Sequence, residues 1–370
     1  MLPSSIAMAP MQIHSGLKGG YASDDTIDYY KARSQAAGMI ITEFHYVSEN
    51  GGPCLTPGYP EQLGIWSDAH IEGARKIASA LKQDGPRPSS RSTTAAGWRL
   101  GATLTARTWS PRAPSTAISR CARSPRKIIL DFGQAVRRAA EAGFDGVEIH
   151  GANHYLIQQC FSTNTNHRDD QWGGTLEKRM AFPLAVAREV RRAAAKYARK
   201  DFIIGYRMSP EEIHKDGVGY TWHESVQLAR KVSELDLDYI HLLLWDGYAS
   251  KPSDSEKSYG QIFREAIDPK ARLVMVGGVF SEEQARDAVQ HHGDIVAVGR
   301  GTLVEPRFAW KIAHGKGSEI AHCVDRATFP SLDWTPGLRE EFTTPGSCGL
   351  PPVPGAESIL DLHEGIFDKG

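Results

Sequence analysis

A histidine, an asparagine and a tyrosine fall within six residues of one another at His150, Asn153 and Tyr155, inside the stretch Gly143 to Arg179. An imidazole and a carboxamide can hold a carbonyl or nitro oxygen by hydrogen bonds, and a phenol can give up a proton. Together they could polarise a conjugated acceptor and protonate it. Taken singly, a histidine is more often a polar core residue and a tyrosine after a strand is more often packing. Only their conjunction at one point of the chain favours chemistry.

These residues must be positioned by neighbouring elements. Val147-Glu148-Ile149 is a short β-type run that follows an amphipathic pattern over Phe132 to Ala142, so the cluster sits just past the C-terminal end of a strand. Further strands are expected at Ile6–Ala9, Met39–Glu43, Phe202–Arg207, Tyr239–Leu244, Leu273–Val276 and Ile295–Val298, with Val147–His150 among them. Helical patterns lie between, at Asp24–Ala37, Asp68–Gln83, Phe132–Ala142, Leu176–Tyr197, Trp222–Leu235 and Ser281–His291. Strands and helices in strict alternation predict an α/β chain with a parallel sheet. A doubly wound sheet would show a GxGxxG after an early strand, and none occurs. The expected architecture is therefore a (β/α)8 barrel, in which strand ends carry the chemistry. One strand is missing from its expected place between Gln83 and Phe132.

Composition excludes other classes. With 370 residues, 41% hydrophobic, 24% charged and a net charge of −1, the chain is expected to fold around a substantial core. No apolar run is long enough to span a membrane, and the first residues lack a secretory signature. The five cysteines, Cys54, Cys121, Cys160, Cys323 and Cys348, never form a CxxC pair. This argues against a disulfide framework, a zinc site or a cysteine-bound iron–sulfur cluster, and no metal is expected. Reduced thiols make the cytoplasm the expected location.

One segment is unlike the rest. From Pro86 to Leu130 there is no Asp or Glu, yet there are eight Arg and one Lys. The run Pro88-Ser-Ser-Arg-Ser-Thr-Thr-Ala-Ala shows neither strand alternation nor a helical stripe. At face value it is a disordered basic insertion. As a nucleic-acid arm it makes a weak case, because the arginines lack interleaved aromatics or lysines.

Several further motifs bear on this gap. His150-Gly-Ala-Asn153-His-Tyr155 and Asn166-His-Arg168-Asp-Asp170-Gln-Trp-Gly173-Gly174-Thr-Leu-Glu177-Lys-Arg179 resemble the signature of the Old Yellow Enzyme family. The resemblance continues in Met8-Ala-Pro10-Met11, Ile65-Trp66-Ser67-Asp68, Tyr206-Arg207-Met-Ser-Pro210, Gly277-Gly278 and Gly299-Arg300, and covers nearly all of the chain outside Pro86 to Leu130. It implies a TIM barrel that binds FMN and takes hydride from NADH or NADPH. The missing piece is where the family has its third strand with a flavin-binding glutamine, then a histidine-containing turn and Gly-Gly-Arg. Plausible codons for residues 86–98, read one base out of register, give Ala-Lys-Ala-Ile-Ile-Gln-Val-His-His-Gly-Gly-Arg-Met. The same shift over 108–115 gives Asp-Leu-Val-Ala-Pro-Ser-Ala-Ile. The segment from Pro86 to about Lys127 thus has the character of a frameshifted stretch between two compensating indels.

The resemblance also implies roles. Pro10 and Met11 would line the flavin ring, and Arg207 would supply the cation that an anionic reduced ring needs. Gly277, Gly278, Gly299 and Arg300 would hold the phosphate. The plainer readings are that strand-end glycines permit tight turns and that Arg207 is a salt-bridge partner. His150 and Asn153 would bind the acceptor's oxygen, and Tyr155 would protonate its α-carbon. Asn166, Arg168, Asp170 and Glu177 are expected to fix a loop and a helix start. Gln12, where the family has Thr or Cys, and Phe44, often a small residue, depart from the pattern. The chain also starts almost at its first strand, without the hairpin such barrels carry on their floor. The expected layout is a barrel over residues 1–330, with 86–127 aberrant, and a C-terminal extension over 331–370. The expected partner is a small molecule, with no nucleic acid or membrane, and a homo-oligomer is possible. The expected activity is ping-pong reduction of activated alkenes such as α,β-unsaturated carbonyls. The alternatives are a crippled barrel unable to hold FMN and, less favoured, an aldolase or isomerase. The latter would need a strand-end lysine, and none occurs.

Overall fold

The computed structural model describes residues 5–49, 61–83, 99–105, 125–344 and 352–365, the segment 99–105 by its backbone alone. The main strands are β1 (Ile6–Met8), β2 (Met39–Tyr46), β3 (Arg99–Thr105), β4 (Gly146–Gly151) and β5 (Ile203–Met208). A hairpin follows, β6 (Glu212–His214) with β7 (Gly217–Tyr220), and then β8 (Tyr239–Leu243), β9 (Arg272–Val276) and β10 (Ile295–Val298). All but the hairpin pair in parallel into one closed barrel, with β1 between β10 and β2. All seven expected strands are present, within three residues at either end.

The third position is occupied by β3, which pairs with β2 on one side and β4 on the other. The sequence reading assigned no strand there. The alternation Leu100, Ala102, Leu104 is present, but it is short and sits among breakers and arginines. The remainder of the aberrant segment, 84–98 and 106–124, lies outside the described residues, so its proposed disruption does too.

The end of the barrel where strands begin is pinned by repeated aspartates. Asp238 accepts from the backbone N–H of Ile204 (2.7 Å), and Asp294 accepts from that of Leu273 (2.7 Å). Asp145 pairs with Lys82 and Arg199. These contacts serve stability, as expected for that face of a barrel. Helices cover the outside through ordinary apolar stripes. In Ile71–Lys82 the buried residues include Ala74, Ile77, Ala78 and Leu81, at i, i+3, i+4 and i+7.

Inside the barrel, small residues Ala7, Ala9 and Ala297 leave room for a large polar one. Tyr239 lies opposite Gly205, where a Cβ would come within 2.0 Å of its ring. Its hydroxyl reaches across to donate to Glu148 (3.0 Å), which also accepts from Nδ1 of His241 (2.8 Å).

Another interior carboxyl has less support. Glu43 on β2 is wholly buried, and its nearest donor among the described residues is the backbone N–H of Ile13 at 3.5 Å. Burial pushes its pKa up to about 8. A carboxyl raised in the folded state contributes stability that is complete below its unfolded pKa and is lost as pH rises through the folded one. Glu43→Gln is therefore expected to gain on the wild type by a few kcal/mol between about pH 5 and about pH 9 in denaturant titrations. An unchanged difference between those two pH values would contradict this.

Candidate active site

The barrel's other end opens into a cavity of about 730 Å3, within the range of roughly 300–1,000 Å3 usual for small-molecule sites. Nine of the ten residues expected at the site line it: Pro10 and Met11 after β1, Asn153 and Tyr155 after β4, Arg207 on β5, Gly277 and Gly278 after β9, and Gly299 and Arg300 after β10. They come from five strands dispersed over the chain, and the closed sheet is what brings them together.

His150 is placed differently. It is wholly buried, and its ring stacks face to face on Phe44, with centroids 4.5 Å apart and planes at 4°. Phe44, not His150, forms the cavity wall. Tyr155 lies beside both rings, 4.8 Å from His150 and 5.6 Å from Phe44. Burial lowers the pKa of His150 well below its ordinary value, and the charge of Arg207 adds to this. The imidazole is therefore neutral, with one donor and one acceptor nitrogen. Neither has a hydrogen-bond partner among the described residues.

Asn153 and His154 have φ of +54° and +57°, in the left-handed region that non-glycine residues seldom enter. The turn brings Asn153 onto the cavity wall, where its Oδ1 has no partner among the described residues. Tyr155 follows in extended conformation and caps the short helix Leu156–Phe161. Its neighbours Gln158 and Gln159 hold the turn. The Gln158 side chain accepts from the His154 N–H (3.1 Å), and that of Gln159 donates to the His154 carbonyl.

Arg207 is in register with His150 on one side and His241 on the other. Its guanidinium is buried, and Nε and Nη1 have no partner among the described residues. Desolvation lowers its pKa, opposed by the negative charge of Glu148. A buried cation with two free donors on a cavity wall suits an anionic or strongly accepting ligand edge. Gly277 meets the second requirement, close backbone approach. A Cβ there would lie 2.7 Å from the Leu244 carbonyl oxygen and 2.8 Å from the Tyr248 nitrogen. Gly278 has φ +66° and open space before it. The residues present thus fit a flat, electron-accepting ring with a phosphate tail. Arg300 packs over Phe280 and donates to the Pro352 carbonyl (2.9 Å), so it is braced from the C-terminal side.

The loop after the site is held as the sequence suggests. Asn166 donates to the carbonyls of Cys160 (2.5 Å) and Trp172 (2.8 Å), Arg168 pairs with Asp170, and Asp170 accepts from the Trp172 N–H (3.0 Å). The sequence reading missed three groups of wall residues. Leu338, Glu341 and Phe342 come from the helix Pro336–Thr343, which packs onto the loop after β1: Thr335 donates to the Ile13 carbonyl, and His14 lies 3.5 Å from Glu341. A signal existed, since Thr335-Pro336 is a helix-start pair. The hairpin residues Glu211, Glu212 and His214 and the half-exposed Trp245 had no such signal.

The chain is similar to known proteins. The family model for the NADH:flavin oxidoreductase / NADH oxidase family matches residues 1–87 and 122–319. The chain is 35% identical over 325 residues to the "Probable NADH-dependent flavin oxidoreductase YqiG" of Bacillus subtilis, covering 85% of each. It is 37% identical over 324 residues to the NADH:acrylate oxidoreductase of Vibrio harveyi and 35% identical over 337 residues to the NADH:fumarate oxidoreductase of Klebsiella pneumoniae. It spans only 32% and 35% of those two proteins. Among solved structures, morphinone reductase shares the fold at a TM-score of 0.64 and 24% identity, over 88% of this chain and 90% of that one. The old yellow enzyme homologue from Zymomonas mobilis does so at 0.66 and 22%, over 94% and 96%. The cofactor is accordingly FMN, with NADH or NADPH as hydride donor. The chain belongs to the NADH:flavin oxidoreductase / NADH oxidase family, that of Old Yellow Enzyme, and is an NAD(P)H-dependent flavin oxidoreductase.

Proposed function

We propose that this protein reduces the activated C=C bond of α,β-unsaturated carbonyl compounds, and that unsaturated carboxylates are among its acceptors. The observation that carries this reading is one cavity wall holding the carboxamide of Asn153, the phenol of Tyr155 and the unpaired guanidinium edge of Arg207. The names of the acrylate and fumarate relatives support the carboxylate part.

FMN, when bound, supplies hydride transfer between the nicotinamide and the acceptor. Arg207 would hold the ring edge with two N–H groups and a positive charge. Pro10 and Met11 would give the flavin ring an apolar side, and the backbone at Gly277, Gly278, Gly299 and Arg300 would hold its phosphate. Asn153 donates from its amide to the acceptor's carbonyl oxygen, which lowers electron density at the β-carbon. Neutral His150, whose ring nitrogens have no partner among the described residues, would supply a second donor by turning its ring edge past Phe44 toward the cavity. Tyr155 delivers a proton from its hydroxyl to the α-carbon. Donor and acceptor use the same cavity in turn, which gives a ping-pong cycle.

A second reading, a barrel that does not retain FMN, is favoured by the acid-free basic segment, over which the family match breaks at 88–121. That segment would supply the ring's opposite wall. Its frameshifted character, which the break supports, is decided by resequencing the gene: codons that yield no shifted family motif would end the idea. The functional reading is tested by titrating purified protein with FMN. Saturable quenching of flavin fluorescence with a yellow product supports the reductase. Protein that stays colourless and leaves the fluorescence unchanged supports the second reading.

A further inference from the structure

At the mouth of the cavity, apart from the residues given roles above, lie two histidines and a carboxylate. Glu212 and His214 belong to β6 of the hairpin, and His154 is the second left-handed residue of the turn after β4. The Nδ1 of His154 is 3.7 Å from Glu212, and the Nε2 of His214 is 3.4 Å from it. One ligand atom from each residue falls within a span of 4.8 Å. All three residues line the cavity. From these positions we infer a divalent transition-metal site of the zinc type at the cavity mouth, with His154, Glu212 and His214 as ligands.

Three observations support it. First, the Glu212 side chain is only 2% exposed, and its hydrogen bonds come from neutral groups: Gln158 Nε2 (2.8 Å), Ser162 Oγ (2.7 Å) and Asn164 Nδ2 (3.3 Å). Among the described residues its ion-pair partners are those two histidines alone. A buried carboxylate held this way is oriented but lacks a fixed positive charge, which an ion would provide. Second, the two imidazoles converge beside that carboxylate, with their ring centroids 5.2 Å apart. Such a cluster would repel an anionic ligand and attract a cation. Third, the spacing suits the geometry. Tetrahedral zinc with ligands at about 2.0–2.1 Å sets ligand atoms about 3.3 Å apart, and the two imidazoles are roughly half-exposed and free to close that distance.

Two imidazoles and a carboxylate leave a fourth position for water or another exchangeable oxygen ligand, as in open zinc sites. The close approach of the hairpin is permitted by Gly219, where a Cβ would lie 2.6 Å from Glu212 Oε1. No spacing in the sequence announces this set, because one ligand is more than fifty residues from the other two.

The site does not depend on bound flavin, so it can be tested in the purified full chain. One equivalent of Co2+ is expected to give the visible ligand-field bands of four-coordinate cobalt, which Zn2+ then abolishes. His214→Ala and His154→Gly, the latter suited to the positive φ, are each expected to weaken Zn2+ binding by at least about 100-fold in calorimetry, and Asn164→Ala by about tenfold. Absence of the bands, or bands that persist when His154→Gly and His214→Ala are combined, would overturn the assignment.

Discussion

Arg207→Met is expected to weaken FMN binding by about 10–100-fold, since hydrogen bonds to a charged donor contribute about 1.5–3 kcal/mol. The flavin-free protein should be no less stable. That second half follows from burial: in the described structure the guanidinium is desolvated and two of its nitrogens have no partner. Methionine fills much the same volume without that cost. Glu148, its electrostatic neighbour, keeps its hydrogen bonds from Tyr239 and His241. FMN affinity and thermal stability should thus move independently. If both fell together, Arg207 would be a structural ion-pair partner, the plainer of the two sequence readings.

Tyr155→Phe is expected to slow reduction of an unsaturated ketone by about 10²–10⁴-fold, the usual contribution of a placed proton donor. It should leave reduction of the flavin by NADPH nearly unchanged, because no proton transfer to carbon occurs there. The substitution removes one oxygen and keeps the ring beside Phe44 and His150. Anaerobic stopped-flow separates the two half-reactions. Equal slowing of both would mean that the phenol shapes the cavity and does not donate its proton.

Seven of the eight barrel strands were readable because each is a short β-branched or apolar run, and some follow directly on an aspartate. Asp238 and Asp294 cap the neighbouring strand, and their position before Tyr239 and Ile295 is visible in the sequence. What failed was set by distant partners. The first helix ends at Ala32, five residues short of expectation, because the next residue, Arg33, is wholly buried. It donates to the carbonyls of Tyr29 (3.2 Å) and Leu332 (2.8 Å). A contact 299 residues away leaves no trace in helical periodicity. The helix expected from Phe132 starts at Pro125, inside the basic segment whose composition hid it.

The site divides in the same way. Strand-end positions were legible, and with them the lining residues Asn153, Tyr155, Arg207, Gly277-Gly278 and Gly299-Arg300. Whether a side chain then reaches the cavity depends on what lies across the barrel. His150 is covered by Phe44 from β2, two strands away, and neither residue's local sequence records that stacking. The wall supplied by Pro336–Thr343 was signalled by its helix start, but its packing partner, the loop after β1, lies at the other end of the chain.

The most direct test of the account is a two-step anaerobic experiment on purified, FMN-loaded protein. NADPH or NADH should bleach the yellow absorbance, and subsequent addition of an α,β-unsaturated ketone should restore it stoichiometrically, with the saturated ketone as product. Protein that binds flavin and is bleached, yet regains colour only on admitting oxygen and leaves the ketone unreduced, would contradict the proposed reaction.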